Sequence, residues 1–175
     1  MRKIVLLLGL AVLFFGCTQK KGQVKNQAWG NALGTTYSII YIADKQLDYQ
    51  QEIDSVFQVL NQSMSTYIPS SDISKINEGD STVVVDDMFK EVFDVSSDVY
   101  KASNGYFDPT IGVLANAWGF GPGNQIELDS LRVDSLLGYV GWEKVKLNSD
   151  NTISKEHPSI RFDFNAVAKG YAIDR

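Results

Sequence analysis

The chain has 175 residues, 44% of them hydrophobic and 21% charged, which is the balance of a folded domain and not of a disordered tract. Acids outnumber bases 21 to 16, for a net charge of −5, and no basic patch is visible, so nucleic acid is excluded as an expected partner. Cys17 is the only cysteine, so no disulfide can form within the chain.

Arg2 and Lys3 precede an apolar run over residues 4–15. A run of about a dozen residues suits a secretory signal, because a membrane span needs roughly 20. The run ends at Gly16-Cys17, a small residue before a cysteine, which resembles the bacterial lipobox, although Phe14 and Phe15 are a loose fit to it. The expectation is a signal peptide over 1–16, a lipidated Cys17 inserted in a lipid bilayer, and a polar tether over 17–28. That describes an exported, membrane-anchored bacterial lipoprotein on the periplasmic side or cell surface, with ordinary secretion or a retained anchor as alternatives. Loss of Arg2 and Lys3 with the signal takes the net charge from −5 to −7.

Beyond the tether, residues 29–175 read as one domain. Residues 37–42, rich in aromatic and β-branched types, predict a strand. Ile53, Val56, Phe57, Leu60 and Met64 share one face of a helix starting near Asp48 and ending before Pro69. Ser70, Ser71 and Asp72 offer caps for a short helix over 73–77, closed by Gly79. A short strand is expected over 82–85. Asp86 and Asp87 then start a long helix with Met88, Val92, Val95 and Val99 on its buried face, stopped by Asn104-Gly105. Residues 106–110 read as extended, since Pro109 disfavours helix at Asp108. A short helix over 111–118, a glycine-rich loop over 119–123 and a helix over 129–137 follow. Strands are expected over 143–147 and 160–164, around a turn at 148–151. The fold class is α+β, a mixed sheet with packed helices.

The last stretch, from Asp163 to Arg175, carries the sharpest chemical signal. A strand end bearing an acid feeds a helix that bears Lys169 about one turn in. Such a helix start suits a phosphate. Asp163 reads either as an acceptor for a ligand ring or ribose, or as an N-cap or ion-pair partner of Lys169. Asn165 is the better cap by residue type. Lys169 reads either as a counter-charge for a diphosphate or as a solvated helix lysine. Gly170 is expected to allow close backbone approach, because glycine inside a helix costs about 1 kcal/mol against alanine. Tyr106, Phe107 and Asp108 set an aromatic pair beside an acid, which suits a flat heterocycle. Trp118 and Phe120 read as core fillers. Tyr67 reads equally as a ring-stacking group or a cover for the core. His157, the one histidine, makes neither a triad nor a zinc site and reads as exposed.

Four stretches in order resemble the ApbE family of FAD:protein FMN transferases. They are Leu33-Gly34-Thr35; Ser65-Thr66-Tyr67 through Ser71-Asp72-Ile73-Ser74-Lys75-Ile76-Asn77; Gly105-Tyr106-Phe107-Asp108-Pro109-Thr110 through Trp118-Gly119-Phe120; and Asp163 through Ala168-Lys169-Gly170-Tyr171-Ala172-Ile173-Asp174. The resemblance implies a fold related to the T-fold. It implies an activity too: FAD is split at its diphosphate, and FMN passes to a threonine or serine hydroxyl of a target protein with release of AMP. It makes Leu33, Tyr67, Tyr106, Phe107, Asp108, Asp163 and Lys169 FAD-binding positions. It makes the Ala166 carbonyl a ligand of Mg²⁺. Leu33 stands where the family usually has methionine. The implied partners are FAD and a flavin-accepting protein, a membrane redox subunit being one candidate. Family chains continue further, with an Asp and a Thr that complete the metal site. The expectation is therefore an N-terminal part, incomplete in fold and inactive alone. The alternatives are a non-catalytic secreted flavin-binding lipoprotein and, ranked last, a structural surface lipoprotein.

Overall fold

The computed structural model describes residues 22–175, so the signal peptide, Cys17 and the first part of the tether lie outside the described residues. The chain enters through a hairpin of β1 (Val24–Ala32) and β2 (Thr35–Ala43), paired antiparallel from Val24 with Ala43 to Ala32 with Thr35. Residues 24–28, inside the run expected to be tether, are thus strand. Their polar composition hides the reason. Asn26 and Ala28 point inward, and the buried Asn26 amide accepts the Leu47 N–H at 2.8 Å and donates to the Lys45 carbonyl at 3.3 Å. Hydrogen bonding substitutes here for apolar burial. Leu33 (φ 50°) and Gly34 (φ 72°) form the two-residue turn, both in the left-handed conformation that such hairpins require.

Helix α1 (Gln50–Met64) buries Leu60, Ser63 and Met64, the end of the face expected from the spacing. Helix α2 (Asp72–Asn77) is capped by Ser71, which accepts the Ser74 N–H at 3.2 Å, and Gly79 (φ 100°) follows it. Residues 82–85 are not a strand. The Thr82 N–H turns back to the Asp80 carboxylate at 2.9 Å, and the Val85 N–H reaches the Asn151 carbonyl at 2.9 Å. Helix α3 (Asp87–Ala102) has Asp86 as its cap, but its buried face is Phe89, Val92, Phe93 and Ser96. Val95 and Val99, expected on that face, are 47% and 40% exposed. The helix is turned so that two phenylalanines enter the core, because they remove more apolar area from water than valines do.

Next come α4 (Gly112–Ala117), α5 (Ser130–Leu137, capped by Asp129), a 3₁₀ turn at Trp142–Lys144, β3 (Val145–Leu147), β4 (Ile153–Lys155) and α6 (Asn165–Ile173). Strand β3 pairs with β4 across the turn expected at 148–151, and no strand forms over residues 160–164, where one was expected. The latter make a single parallel bridge, Arg161 to Ile111. The fold is therefore α+β with small sheets and packed helices. Among the described residues the strands form two antiparallel pairs.

The core is an aromatic stack between α3 and the segment entering α6. Phe89, Phe162 and Phe164 are essentially inaccessible. Phe89 meets Phe164 edge-on at 5.3 Å, and Trp142 meets Phe162 edge-on at 6.1 Å. Each such ring contributes about 1.5–3 kcal/mol by burial. The stack fixes the side of residues 162–164 that faces inward and leaves Asp163, between two buried phenylalanines, facing out. Among the described residues no helix is long and apolar enough to cross a membrane.

Candidate functional site

Asp163 ends the segment and starts α6. Its N–H donates to the Pro109 carbonyl at 2.8 Å, and its carboxylate accepts the Asn165 N–H at 2.8 Å. Phe164 stands at the N-cap with no side-chain cap bond, so Asn165, expected as the cap, is the first residue of the helix and gives its N–H to Asp163. The N–H groups of Val167 and Ala168 both reach the Phe164 carbonyl, at 2.9 and 2.8 Å, leaving the Ala166 N–H as the unpartnered donor of the first turn among the described residues. No ion pair joins Asp163 to Lys169 among the described residues, and Lys169 is exposed. A Cβ on Gly170 would meet nothing within 4 Å, so the close approach expected there is absent among the described residues.

Two clefts flank this helix start. The larger, about 690 Å³, is bordered by Tyr67, Asn77, Asn116, Arg161 and Asp163; the smaller, about 150 Å³, by Leu33, Tyr67, Asn165, Ala168 and Lys169. Tyr67 borders both. Its loop is tied down by the serines of its own motif: the hydroxyls of Ser71 and Ser74 both donate to the Ser65 carbonyl, at 2.7 and 3.2 Å. The Tyr67 hydroxyl donates to the Phe120 carbonyl at 3.0 Å. Leu33 reaches the smaller cleft because the hairpin turn sets it against the core beside Leu60 and Met64.

Leu33, Tyr67 and Lys169 thus line the smaller cleft, and Asp163 lines the larger one with Tyr67. Tyr106, Phe107 and Asp108 border neither cleft. Tyr106 is 97% exposed. Residues 106–110 form turns instead of an extended run. Asp108 organises them: one carboxylate oxygen accepts the Thr110 N–H and hydroxyl, at 2.8 and 2.7 Å, and the other accepts the Trp142 N–H at 3.0 Å. Trp118 and Phe120 are 45% and 76% exposed, not core fillers, since the loop after α4 carries them outward. His157 is exposed and lies against Tyr139 at 4.6 Å.

Ala166 is exposed in the first turn of α6, its carbonyl directed along the helix toward Gly170. Among the described residues no three His, Cys, Asp or Glu side chains gather to hold a metal. One carbonyl does not furnish an octahedral shell. The described residues by themselves do not fit Mg²⁺.

Three residues at or behind this site had no role assigned from the sequence. Asn77 closes the second stretch of the resemblance, and its side chain accepts the Phe162 N–H at 2.7 Å and donates to the Phe162 carbonyl at 2.9 Å. Arg161, on the larger cleft, pairs with Glu78 at 2.9 Å. Lys155 is half-buried. Burial, with the nearby Arg161 adding and Glu78 opposing, pushes its ammonium down to about 8.

The α+β fold sets two clefts beside the start of α6. The ApbE family model matches residues 33–175, and the chain belongs to the ApbE family. The FAD:protein FMN transferase of Vibrio cholerae O395 is 32% identical over 185 residues, covering 99% of this chain and 54% of that protein. The FAD:protein FMN transferase of Haemophilus influenzae Rd is 27% identical over 184 residues, covering 98% of this chain and 53% of that protein. Among solved structures, the flavin transferase ApbE from Vibrio cholerae aligns with a TM-score of 0.79 at 30% identity, over 87% of this chain and 51% of that one. The apo form of the Pseudomonas stutzeri flavinyl transferase ApbE aligns with a TM-score of 0.77 at 25% identity, over 87% and 50%. The chain spans about half the length of the relatives it matches.

Proposed function

We propose that this chain is part of an FAD:protein FMN transferase. The observation that carries the reading is the start of α6 set between two clefts, with Asp163 on one, Lys169 on the other and Tyr67 on both. FAD has two ring systems joined by a diphosphate, and this layout offers two recesses beside a helix N-terminus, with the Lys169 cation on the smaller one. In the proposed reaction a threonine or serine hydroxyl oxygen of the target protein bonds to the FMN-side phosphorus. The bond from that phosphorus to the bridging oxygen breaks, AMP leaves with that oxygen, and the hydroxyl proton passes to solvent or a base. Charge builds on the phosphoryl oxygens, and the Lys169 ammonium stabilises it as a point charge. Tyr67 offers its ring to a flat heterocycle.

A Mg²⁺ requirement of the whole protein belongs to the same proposal, with ligands beyond Ala166 outside the described residues. So does anchoring of the exported protein to a bilayer through lipidated Cys17. The partner is a flavin-accepting protein, such as a membrane redox subunit.

The test mixes the full-length protein with FAD, Mg²⁺ and an acceptor domain. The acceptor gains the mass of FMN, AMP appears in equal amount, and EDTA abolishes both. FAD binding without any mass gain on an authentic acceptor would leave a flavin-binding lipoprotein and overturn the transferase reading.

A further inference from the structure

Residues 160–162 carry Asp163 and feed α6, yet they belong to no ladder beyond one bridge. They are held instead by side chains that grip their backbone. Asn77 satisfies both polar groups of Phe162, accepting its N–H at 2.7 Å and donating to its carbonyl at 2.9 Å. Lys155 Nζ donates to the Ile160 carbonyl at 2.9 Å and, across the gap, to the Ile76 carbonyl at 2.7 Å, with the Asn77 and Pro158 carbonyls at 3.3 and 3.2 Å. It thereby ties the end of α2 to this segment. On the opposite side Gly112 donates to the Arg161 carbonyl at 3.1 Å, and Asp163 donates to the Pro109 carbonyl at 2.8 Å.

Lys155 has no carboxylate partner among the described ion pairs; the charged groups near it are Arg161 and Glu78, which pair with each other. A half-buried ammonium surrounded by carbonyls is costly to place and easily replaced in a purely apolar design. What its three protons accomplish is geometric: they draw several carbonyls from separate stretches onto one point.

We propose that Asn77 and Lys155 are positioning residues of the flavin site, setting through backbone hydrogen bonds where Asp163 and the first turn of α6 stand between the two clefts. The inference rests on the flavin-binding reading. Asp163 is one residue beyond the gripped Phe162 peptide, and its carboxylate holds the Asn165 N–H. Any displacement of that peptide moves Asp163 and the helix start together, and misplacement of about 1 Å is enough to be felt at a reacting centre. Lys155 itself borders neither cleft, so it acts only through the segment it holds.

The test uses the full-length protein with Lys155→Met, Lys155→Arg and Asn77→Asp, reading FAD affinity by titration and hydrogen exchange at the Asn165 amide. Lys155→Met raises the FAD Kd roughly tenfold, the scale of a lost charged hydrogen bond. It also speeds exchange at Asn165 and raises KM for FAD while leaving KM for the acceptor protein unchanged. Lys155→Arg, which keeps donors for the carbonyls, recovers most of the affinity. Asn77→Asp keeps an acceptor for the Phe162 N–H and loses the donor, so it weakens FAD binding to an intermediate degree. Folded Lys155→Met protein with wild-type FAD affinity and wild-type exchange at Asn165 overturns the proposal. If Lys155→Met fails to fold, Asn77→Asp decides, and wild-type affinity there overturns it equally. A wild-type protein that binds no FAD defeats the flavin reading itself, and the positioning role with it. Unaltered variants beside a binding wild type defeat the positioning role alone.

Discussion

The Tyr67 hydroxyl donates to the Phe120 carbonyl at 3.0 Å, joining the loop after α1 to the loop after α4 across 53 residues. This bond fixes the one aromatic ring that borders both clefts. Tyr67 is 58% exposed, so its ring is free on one side. Tyr67→Phe keeps the ring and removes the tie. We expect FAD affinity to fall about fivefold, the equivalent of about 1 kcal/mol for one hydrogen bond. Tyr67→Ala removes the ring as well and should lower affinity by more than about tenfold. Titration of the full-length protein with FAD measures both, and equal losses in the two variants would show that the ring itself contributes nothing.

Lys169 is exposed at the edge of the smaller cleft and has no carboxylate partner among the described ion pairs. A point charge in that position attracts a diphosphate but is open to screening. Lys169→Ala should weaken FAD binding by about three- to tenfold at low salt, with the difference shrinking at about 0.5 M salt. Lys169→Arg should keep most of the affinity. A salt-independent loss would point to lost packing instead of lost charge.

Gly112 donates to the Arg161 carbonyl, and a Cβ placed on it would stand 2.7 Å from that same oxygen. The neighbour is backbone, so one of the two stretches must move. Gly112→Ala should destabilise the protein by about 1–3 kcal/mol. Because the displaced stretch leads to Asp163, it should also weaken FAD binding. Thermal melts and FAD titration on one sample check this. Unchanged melting would mean that the two stretches part without strain.

The helices were legible where their spacing and caps agreed. Leu60 and Met64 lie buried as their periodicity predicts, and Ser71 and Asp86 cap the helices they precede. Strand β1 was not legible, because Asn26 is buried by hydrogen bonds to residues 45 and 47 and looks, in sequence, like tether. Leu33-Gly34 hid the hairpin, since leucine is seldom placed where φ is positive. In α3 the choice between two overlapping faces turned on burying Phe89 and Phe93 rather than Val95 and Val99. Of the site, Tyr67, Asp163 and Lys169 were legible because their chemistry sits in short motifs. Asn77 lies in one of those motifs and Lys155 in none, and the role of neither was legible. Their partners are backbone groups 85 and 79 residues away, and no local spacing encodes a bond to a distant carbonyl.

Lys155 gives the clearest pH dependence. In the folded protein burial, reinforced by Arg161 and opposed by Glu78, pushes its ammonium from the ordinary 10.5 down to about 8. In the unfolded chain it keeps its proton up to the ordinary value. Between about 8 and 10.5 the unfolded state therefore binds more protons than the folded one, and stability rises with pH across that window. The gain is complete above the unfolded value and is lost as pH falls through the folded one. Lys155→Met lacks the titrating group. The stability of the wild type relative to this variant should therefore climb as pH is raised through the window. Urea denaturation of both full-length proteins at closely spaced pH values measures it. A difference that stays flat there would show that the Lys155 ammonium keeps its proton in the fold up to its ordinary value, its bonds to carbonyls offsetting the burial.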